Sequence, residues 1–155
     1  MFTLRPLFAE FLGTAAIVTA VLGVGHMVQQ LEAGSALGLL MIALAVGGVL
    51  FGAISALGPI SGAHFNPAVS LVFLIKRELG LGSFFGYVLA QLLGALAGAA
   101  LANAMYGKTL LPVSSVERAG TGLWVGEVVA TFGLVLFILL LAKNHAHLIA
   151  AVVGV

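Results

Sequence analysis

The stretch SGAHFNPAVS, residues 61–70, sets a serine, a histidine, an asparagine and a proline close together in a strongly apolar chain. Hydrophobic residues make up 62% of the sequence and charged residues only 7%, whereas a soluble domain carries about 25% charged residues. The chain therefore has lipid as its solvent. In hydrocarbon each unpaired polar atom costs several kcal/mol, so we interpret this polar stretch as the working part of the molecule.

Four other stretches are apolar over the roughly 20 residues that a membrane-spanning helix needs. They lie at about 7–28, 35–57, 83–106 and 123–142. A fifth apolar run begins at Leu148 and is cut off at Val155, so we expect the fold to be truncated in the fifth span. The sequence thus predicts an all-α, multi-pass membrane protein, with the polar stretch between the second and third spans.

The polar stretch leads into a helix that is too short to span the membrane. Residues 66–76 allow about three turns, or roughly 15 Å, against a hydrocarbon core of about 30 Å. This length predicts a re-entrant loop followed by a half-length helix. Asn66 suits the N-cap, and Pro67 suits the first turn, where its missing N–H is no loss.

Charge and composition indicate the orientation and exclude several partners. The side that holds the N-terminus carries most of the basic residues, which favours a cytoplasmic N-terminus in the cell membrane. These residues are Arg5, Lys76, Arg77 and Lys143, against Lys108 and Arg118 on the other side. The net charge is +1 without a basic run, which argues against nucleic acid. There are no cysteines and no clustered metal ligands, so we expect no metal and no cofactor.

Two helix starts resemble each other. FAEFLGTAA at residues 8–16 and VGEVVATFG at residues 125–133 place Glu10 and Glu127 at the same position. Three spans separate one start from the next, so the two halves would be inverted repeats within one domain. We expect residues 1–106 to form the first repeat, and residues 107–155 to form an outer loop and the start of the second.

The half-helix explains why polar residues stand at this depth. Its N-terminal end would carry about half a positive charge and free N–H groups to the middle of the bilayer. The bend before it, residues 62–65, cannot be helical throughout, and such backbone is tolerated only in protein or beside a wet cavity. An asparagine amide at that point would donate to a solute, and the dipole would repel cations and protons.

These motifs resemble the major intrinsic protein family, which comprises the aquaporins and glycerol facilitators. The resemblance covers the whole chain through AEFLGT at 9–14, SGAHFNPAV at 61–69, GYVLAQLLGALAGA at 86–99 and GEVVATFG at 126–133. It implies an aquaporin-like right-handed helical bundle with six spans and two re-entrant half-helices per subunit. It also implies a pore within each subunit and a homotetramer in the lipid bilayer.

The resemblance assigns roles to individual residues of the polar stretch. Asn66 would be the donor at the pore centre, and Pro67 and Ala68 would set the start of the half-helix. The backbone carbonyls that line the lumen would come from Gly62, Ala63 and His64. A side-chain hydrogen bond that holds the loop is the preferred role for His64.

The family also draws a filter residue from the second helix. Val46 stands at that position, where glycerol-conducting members have Trp and water channels have Phe, and Leu50 follows it along the pore. A valine suggests a wider filter, which could admit metalloid hydroxides. The family's second Asn-Pro-Ala motif and its filter arginine are not in the sequence. We therefore expect a piece of a longer protein rather than a half-size gene product, and no selective pore from this chain alone.

Acids inside membrane spans mark functional sites. The resemblance implies that Glu10 and Glu127 each accept N–H groups from the pore loop of their own half, although the loop of Glu127 would be missing. Gln91 would hold backbone near the loop. The alternative is a coupled secondary transporter in which the two glutamates are linked to ion movement.

A passive channel for water and small neutral solutes is the preferred function. An enzyme is disfavoured because Ser61, His64 and Ser70 have no paired acid or metal cluster beside them. His145 and His147 are interpreted as solvated loop residues. Glycines at small-xxx-small spacing are predicted to form packing faces. They are the pairs Gly48/Gly52, Gly82/Gly86, Gly94/Gly98 and Gly122/Gly126.

Overall fold

A computed structural model describes residues 4–113 and 119–154. The helices in this part are α1 (Leu4–Gln30), α2 (Ser35–Ser61), α3 (Pro67–Ile75), α4 (Leu81–Met105), α5 (Thr121–Asn144) and α6 (Ile149–Gly154). A single 3-10 turn, Ala146–Leu148, connects the last two. Within the described residues there is no strand, and four of the helices are long and apolar enough to cross a membrane. The predicted class, an all-α membrane bundle, is confirmed.

The helix boundaries follow the predicted spans closely. The largest difference is at the end of α2, which continues through Pro59 to Ser61. A proline near the end of a helix removes one hydrogen bond without stopping the chain from closing its last turn. The turn ends where the Gly62 N–H donates to the Gly58 carbonyl at 2.9 Å. Arg118, which entered the comparison of charges, lies outside the described residues.

The core of the bundle is formed by α1 against α2 and α4. At Gly94 an added Cβ would meet the carbonyl oxygen of Phe11, and at Gly98 it would meet that of Ala15. The two helix backbones therefore touch, as small-residue faces allow. Thr19 adds a bond between the helices by donating its hydroxyl to the Gly98 carbonyl at 3.2 Å. The packing role predicted for Gly94 and Gly98 is confirmed.

Two of the other glycine pairs do not pack in this way. Within the described residues, nothing lies within 4 Å of a Cβ added at Gly48, Gly52, Gly122 or Gly126. The prediction of packing faces is wrong for these positions in the described chain, because spacing along a helix does not say whether a partner helix stands opposite. For Gly82/Gly86 it stays a prediction.

The last two helices pack differently from the first four. α6 lies on α2, where the backbones of Gly47 and Gly154 touch. α5 contacts α3 and α6, but this helix, described throughout, has no buried residue. Trp124 is 68% exposed and Phe132 is 67% exposed. Large apolar side chains exposed in this way are favourable against lipid and unfavourable against water.

Candidate functional site

The loop between α2 and α3, residues 62–66, is the irregular part of the bundle interior. Gly62 closes α2 in the left-handed region with φ 87°. Ala63 and Phe65 also have left-handed backbones, with φ 51° and 47°. A residue other than glycine pays about 1–3 kcal/mol for this conformation, and it persists only where the surroundings fix it. Strain of this kind points to a loop that is held in place by its neighbours.

Glu10 of α1 is the acceptor that fixes this loop. Its side chain is fully buried, and both carboxylate oxygens are in use. Oε1 accepts from the Ser61 hydroxyl at 2.6 Å and from the His64 backbone N–H at 3.0 Å. Oε2 accepts from the Phe65 backbone N–H at 2.7 Å and from the Gln91 amide at 2.8 Å. The backbone N–H groups of these two loop residues have no carbonyl partner within a helix, and the carboxylate accepts hydrogen bonds from both.

Further side chains support Glu10 and the end of α2. The Gln91 amide donates to the Ser70 hydroxyl at 3.1 Å as well as to Glu10. The Tyr87 hydroxyl donates to the Ser61 carbonyl at 2.8 Å. Gln91 thus supports the two side chains that lie next to the loop, and its role in holding the loop stays a prediction.

His64 is held by its side chain. Nδ1 lies 3.1 Å from the Ser70 hydroxyl oxygen, so one of the two groups donates to the other. The ring stacks on Phe73 with centroids 4.6 Å apart and meets Tyr87 edge-on at 5.3 Å. Only 9% of the residue is exposed. This geometry agrees with the hydrogen-bonding role that the sequence favoured for His64.

The half-length helix α3 begins directly after the loop. The Asn66 side-chain oxygen accepts from the Ala68 N–H at 2.8 Å, and Pro67 occupies the first position. The Asn66 carbonyl accepts from the Ser70 N–H at 3.0 Å, which closes the first turn. Asn66 is thus the N-cap that the sequence predicts, and the N-terminal end of the helix carries a partial positive charge.

A cavity of about 280 Å³ lies beside the loop and the start of α3. Its polar boundary is the stretch Gly62–Asn66. Its apolar boundary comes from five helices through Ile17, Leu50, Ile54, Val69, Phe73, Leu134, Ile138, Ile149 and Val153. Among the described residues, no hydrogen bond reaches the carbonyl oxygens of residues 62–65. These acceptors are free to bind a polar guest in an otherwise apolar space.

A second cavity, of about 480 Å³, adjoins the first. The two share Ile54, Gly62 and Ile149 as boundary residues. The second is also bordered by Ser55 and His147, and His147 is exposed. The second cavity therefore lies between the loop and the exposed α5–α6 connection.

Comparison with known proteins agrees with this architecture. The sequence profile of the family described as Major intrinsic protein matches residues 1–154. This chain belongs to that family. It is 44% identical over 150 residues to the aquaglyceroporin AqpS of Rhizobium meliloti (strain 1021), covering 97% of this chain and 64% of the relative.

Two other relatives match a shorter part of the chain at similar identity. The lens fiber major intrinsic protein of Lithobates pipiens is 46% identical over 105 residues, which is 68% of this chain and 37% of the relative. Aquaporin-5 of Homo sapiens is 44% identical over 99 residues, or 63% of this chain and 36% of the relative. The chain thus spans between 36% and 64% of the length of these three members of the major intrinsic protein family.

The structure brings most of the predicted site residues of this family member together, but not all. The Asn-Pro-Ala stretch, the loop before it, Glu10, Gln91 and Leu50 surround or support one cavity. Val46 does not border that cavity and is half-buried on α2. Glu127 on α5 is exposed and does not border that cavity, but it lies in a separate groove between α5 and α3 that Ala68 also lines. No described residue hydrogen-bonds its side chain.

Sequence reasoning missed five residues of this site. Ser61, Ser70 and Tyr87 complete the hydrogen bonds around the loop, and Phe65 rests its ring on α1 at Gly13. The signal for the serines and the tyrosine was present, because a polar group inside an apolar span needs a partner. For Phe65 and Gly13 no local pattern exists, since their contact joins residues far apart in the chain.

Proposed function

We propose that this chain forms part of a passive channel for water and small uncharged solutes in the cell membrane. The observation that carries the proposal is the cavity whose polar boundary is the loop 62–66 and whose remaining boundary is apolar. A narrow apolar space with a line of free carbonyl acceptors can replace the hydration of a neutral solute without binding it tightly. Membership of the major intrinsic protein family supports this function.

Asn66 is the donor in the proposed path. Its side-chain oxygen is occupied by the Ala68 N–H, and only the oxygen of an amide can accept. The amide NH₂ is therefore left to donate, and Asn66 borders the cavity. The carbonyls of Gly62, Ala63 and His64 are the acceptors, while Pro67 and Ala68 fix where the helix starts.

Proton exclusion follows from the same arrangement. The N-terminal end of α3 carries roughly half a positive charge, and it lies at the asparagine. A cation or hydronium that approaches this end meets repulsion, whereas a neutral solute does not. We propose that α3 reaches the middle of the bilayer as a re-entrant half-helix of the first repeat, residues 1–106.

Glu10 is a scaffold in this account rather than an ion-linked group. Its two oxygens accept from four donors, and it is absent from the boundary of the described cavities. A coupled secondary transporter would need a titratable group that its substrate ion can reach. Nothing in the described residues or in the comparisons supports that alternative for Glu10 or Glu127.

The solute range is a further part of the proposal. The similarity to a protein named an aquaglyceroporin favours glycerol-like solutes beside water. The small Val46 favours a wide filter on α2 and metalloid hydroxides as additional solutes, with Leu50 further along the same helix. Replacing Val46 by Trp should then slow glycerol more than water. Equal slowing of both solutes would contradict a filter at this position.

The proposed assembly rests on family membership, and the proposed orientation rests on the distribution of lysine and arginine residues. We propose a homotetramer in the lipid bilayer with the N-terminus in the cytoplasm. The loop 62–66 would enter the membrane from the cytoplasmic side, where Lys76 and Arg77 would remain at the surface. Glu127 would accept N–H groups from a second loop in the other half of the channel.

The test is osmotic flux in vesicles that contain the full-length protein. Asn66→Asp keeps the oxygen that caps α3 but removes the amide donor and adds a negative charge. We expect water and glycerol flux to fall and a proton leak to appear, while Asn144→Asp at the exposed end of α5 leaves both unchanged. Flux that requires a proton or sodium gradient, or an Asn66→Asp variant that behaves like the wild type, would overturn the proposal.

A further inference from the structure

Phe65 has a backbone conformation that suits glycine, yet its side chain is one of the largest in the loop. Its φ of 47° lies in the left-handed region. The side chain explains the choice, because the ring lies where a Cβ of Gly13 would be. The ring atoms Cδ1, Cε1 and Cζ are the nearest neighbours of that position. The absence of a side chain at Gly13 makes a notch in α1, and the Phe65 ring fills it.

The same residue is attached to α1 a second time. Its backbone N–H donates to Oε2 of Glu10 at 2.7 Å, and Glu10 stands one helical turn before Gly13. Two contacts on adjacent turns fix both the position and the direction of the residue. The next residue is Asn66, which caps α3, and both residues border the 280 Å³ cavity.

We propose that Phe65 is a positioning residue whose ring, seated in the Gly13 notch, sets where the loop carbonyls and the Asn66 amide stand in the cavity. This inference rests on the proposed channel function. A shift of these groups by part of an ångström changes the width of the path, and it changes it most for the larger solutes. The ring and the notch therefore set the ratio of water permeability to glycerol permeability, although neither is the donor or an acceptor.

A purely backbone role makes the opposite prediction for one variant. If the left-handed loop alone mattered, Phe65→Gly would be harmless, because glycine adopts that conformation without strain. If the ring is the positioning element, Phe65→Gly relieves the strain but loses the selectivity. We expect its water-to-glycerol ratio to change by about tenfold, the factor that about 1.4 kcal/mol of relative barrier produces.

A double-mutant cycle tests the ring and the notch together. Phe65→Ala removes the ring that faces Gly13 and leaves the notch empty without placing a β-branched side chain on a left-handed backbone, and Gly13→Ala fills the notch beneath an intact ring. Each single variant should shift the water-to-glycerol ratio. The double variant should return most of the way to the wild type, because the new methyl group then occupies part of the lost ring volume.

The control is Gly25→Ala, which adds the same methyl group to the same helix where nothing lies within 4 Å. It should leave the ratio unchanged. Thermal unfolding in detergent accompanies every variant, and if Gly13→Ala alone does not fold, the comparison of Phe65→Ala with the double variant decides.

Each outcome of the cycle bears on a different statement. Two results in folded variants would overturn the positioning role. One is wild-type flux with an unchanged water-to-glycerol ratio in Phe65→Gly and Phe65→Ala, and the other is a shift of that ratio that is strictly additive in the double variant. Wild-type vesicles that pass neither water nor glycerol faster than protein-free vesicles would overturn the channel itself, and the positioning role with it.

Discussion

Glu10 and Glu127 stand at matching places near the starts of α1 and α5, yet their surroundings are opposite. Glu10 is fully buried and accepts four hydrogen bonds from a loop and a neighbouring helix. Glu127 is exposed, and no described residue bonds to it. The repeated motif therefore marks where an acid is required, but only the packing of other elements turns that acid into a fixed acceptor.

The same difference extends to the helices that carry these acids. α1 touches α4 through glycines whose missing side chains let two backbones meet. α5 has glycines at the same spacing with empty space around them. A small-residue stripe allows close approach but does not attract a partner by itself. The same substitution should therefore have a large effect on α1 or α4 and a small effect at the corresponding position of α5.

The largest expected effect is that of Glu10→Ala. It leaves two backbone N–H groups of the loop and the side-chain donors of Ser61 and Gln91 without their buried acceptor. Removing one partner from a buried charged network costs about 3–5 kcal/mol in the free energy of unfolding. Unfolding in mixed micelles by titration with SDS measures it. In the 155-residue chain, where Glu127 is exposed, Glu127→Ala should change stability by no more than about 0.5 kcal/mol, and an equal loss in both variants of this chain would contradict the comparison.

The next effect is that of Gly94→Ala on α4. The added methyl group would meet the Phe11 carbonyl oxygen of α1, and backbone cannot move aside cheaply. Overpacking of this kind costs about 1–3 kcal/mol. Gly122→Ala on α5 meets nothing within 4 Å and should stabilise its helix slightly. The same unfolding assay decides, and a neutral Gly94→Ala would show that α1 and α4 are less closely packed.

A smaller effect is expected at the cap of α3. Asn66→Ala removes the acceptor of the Ala68 N–H, which typically costs about 1 kcal/mol. Asn144→Ala, at the exposed last residue of α5, should change the unfolding free energy by less than about 0.5 kcal/mol. Solute flux should be lost in the first variant and kept in the second. Normal flux in Asn66→Ala would confine this asparagine to a capping role.

The smallest effect concerns the charged pair at the end of α3. Lys76 and Glu78 lie 2.7 Å apart, but both side chains are substantially exposed, at 40% and 49%. Surface pairs of this kind contribute about 0–1 kcal/mol. Lys76→Ala should therefore shift the unfolding midpoint only slightly, and 0.5 M salt should abolish the difference in midpoint between the variant and the wild type. A loss comparable to that of Glu10→Ala would show that the pair is buried in the assembled protein.

Much of the fold could be predicted because each signal is local. The length of the apolar runs determines the spans, and the pair Asn66–Pro67 determines where the half-length helix begins. Glu10 could be predicted as a site residue because an acid in an apolar helix is rare and must be satisfied. These arguments need only the residue and its immediate neighbours in the chain.

The rest depended on contacts between distant parts of the chain. Ser61 and Gln91 donate to one carboxylate, and Ser70 accepts from the same Gln91 amide, although the three residues lie on three different helices. The Phe65 ring meets Gly13 only after α1, α2 and α4 have packed. The left-handed backbone at Phe65 runs against local preference, and an arrangement stabilised by tertiary contacts cannot be inferred from local preference.

The central claim is that the loop 62–66 and the start of α3 border a water-filled path at mid-membrane. These 155 residues contain no cysteine, and any cysteine in the rest of the full-length protein is first replaced by serine, so that single cysteines report without background. Leu50 on α2 borders the cavity, whereas Leu44 on the same helix is 68% exposed on its outside. In vesicles, a water-soluble methanethiosulfonate reagent should label Leu50→Cys and block its solute flux, and leave Leu44→Cys unlabelled. An unreactive Leu50→Cys beside a reactive Leu44→Cys, or equal labelling of both, would contradict the claim.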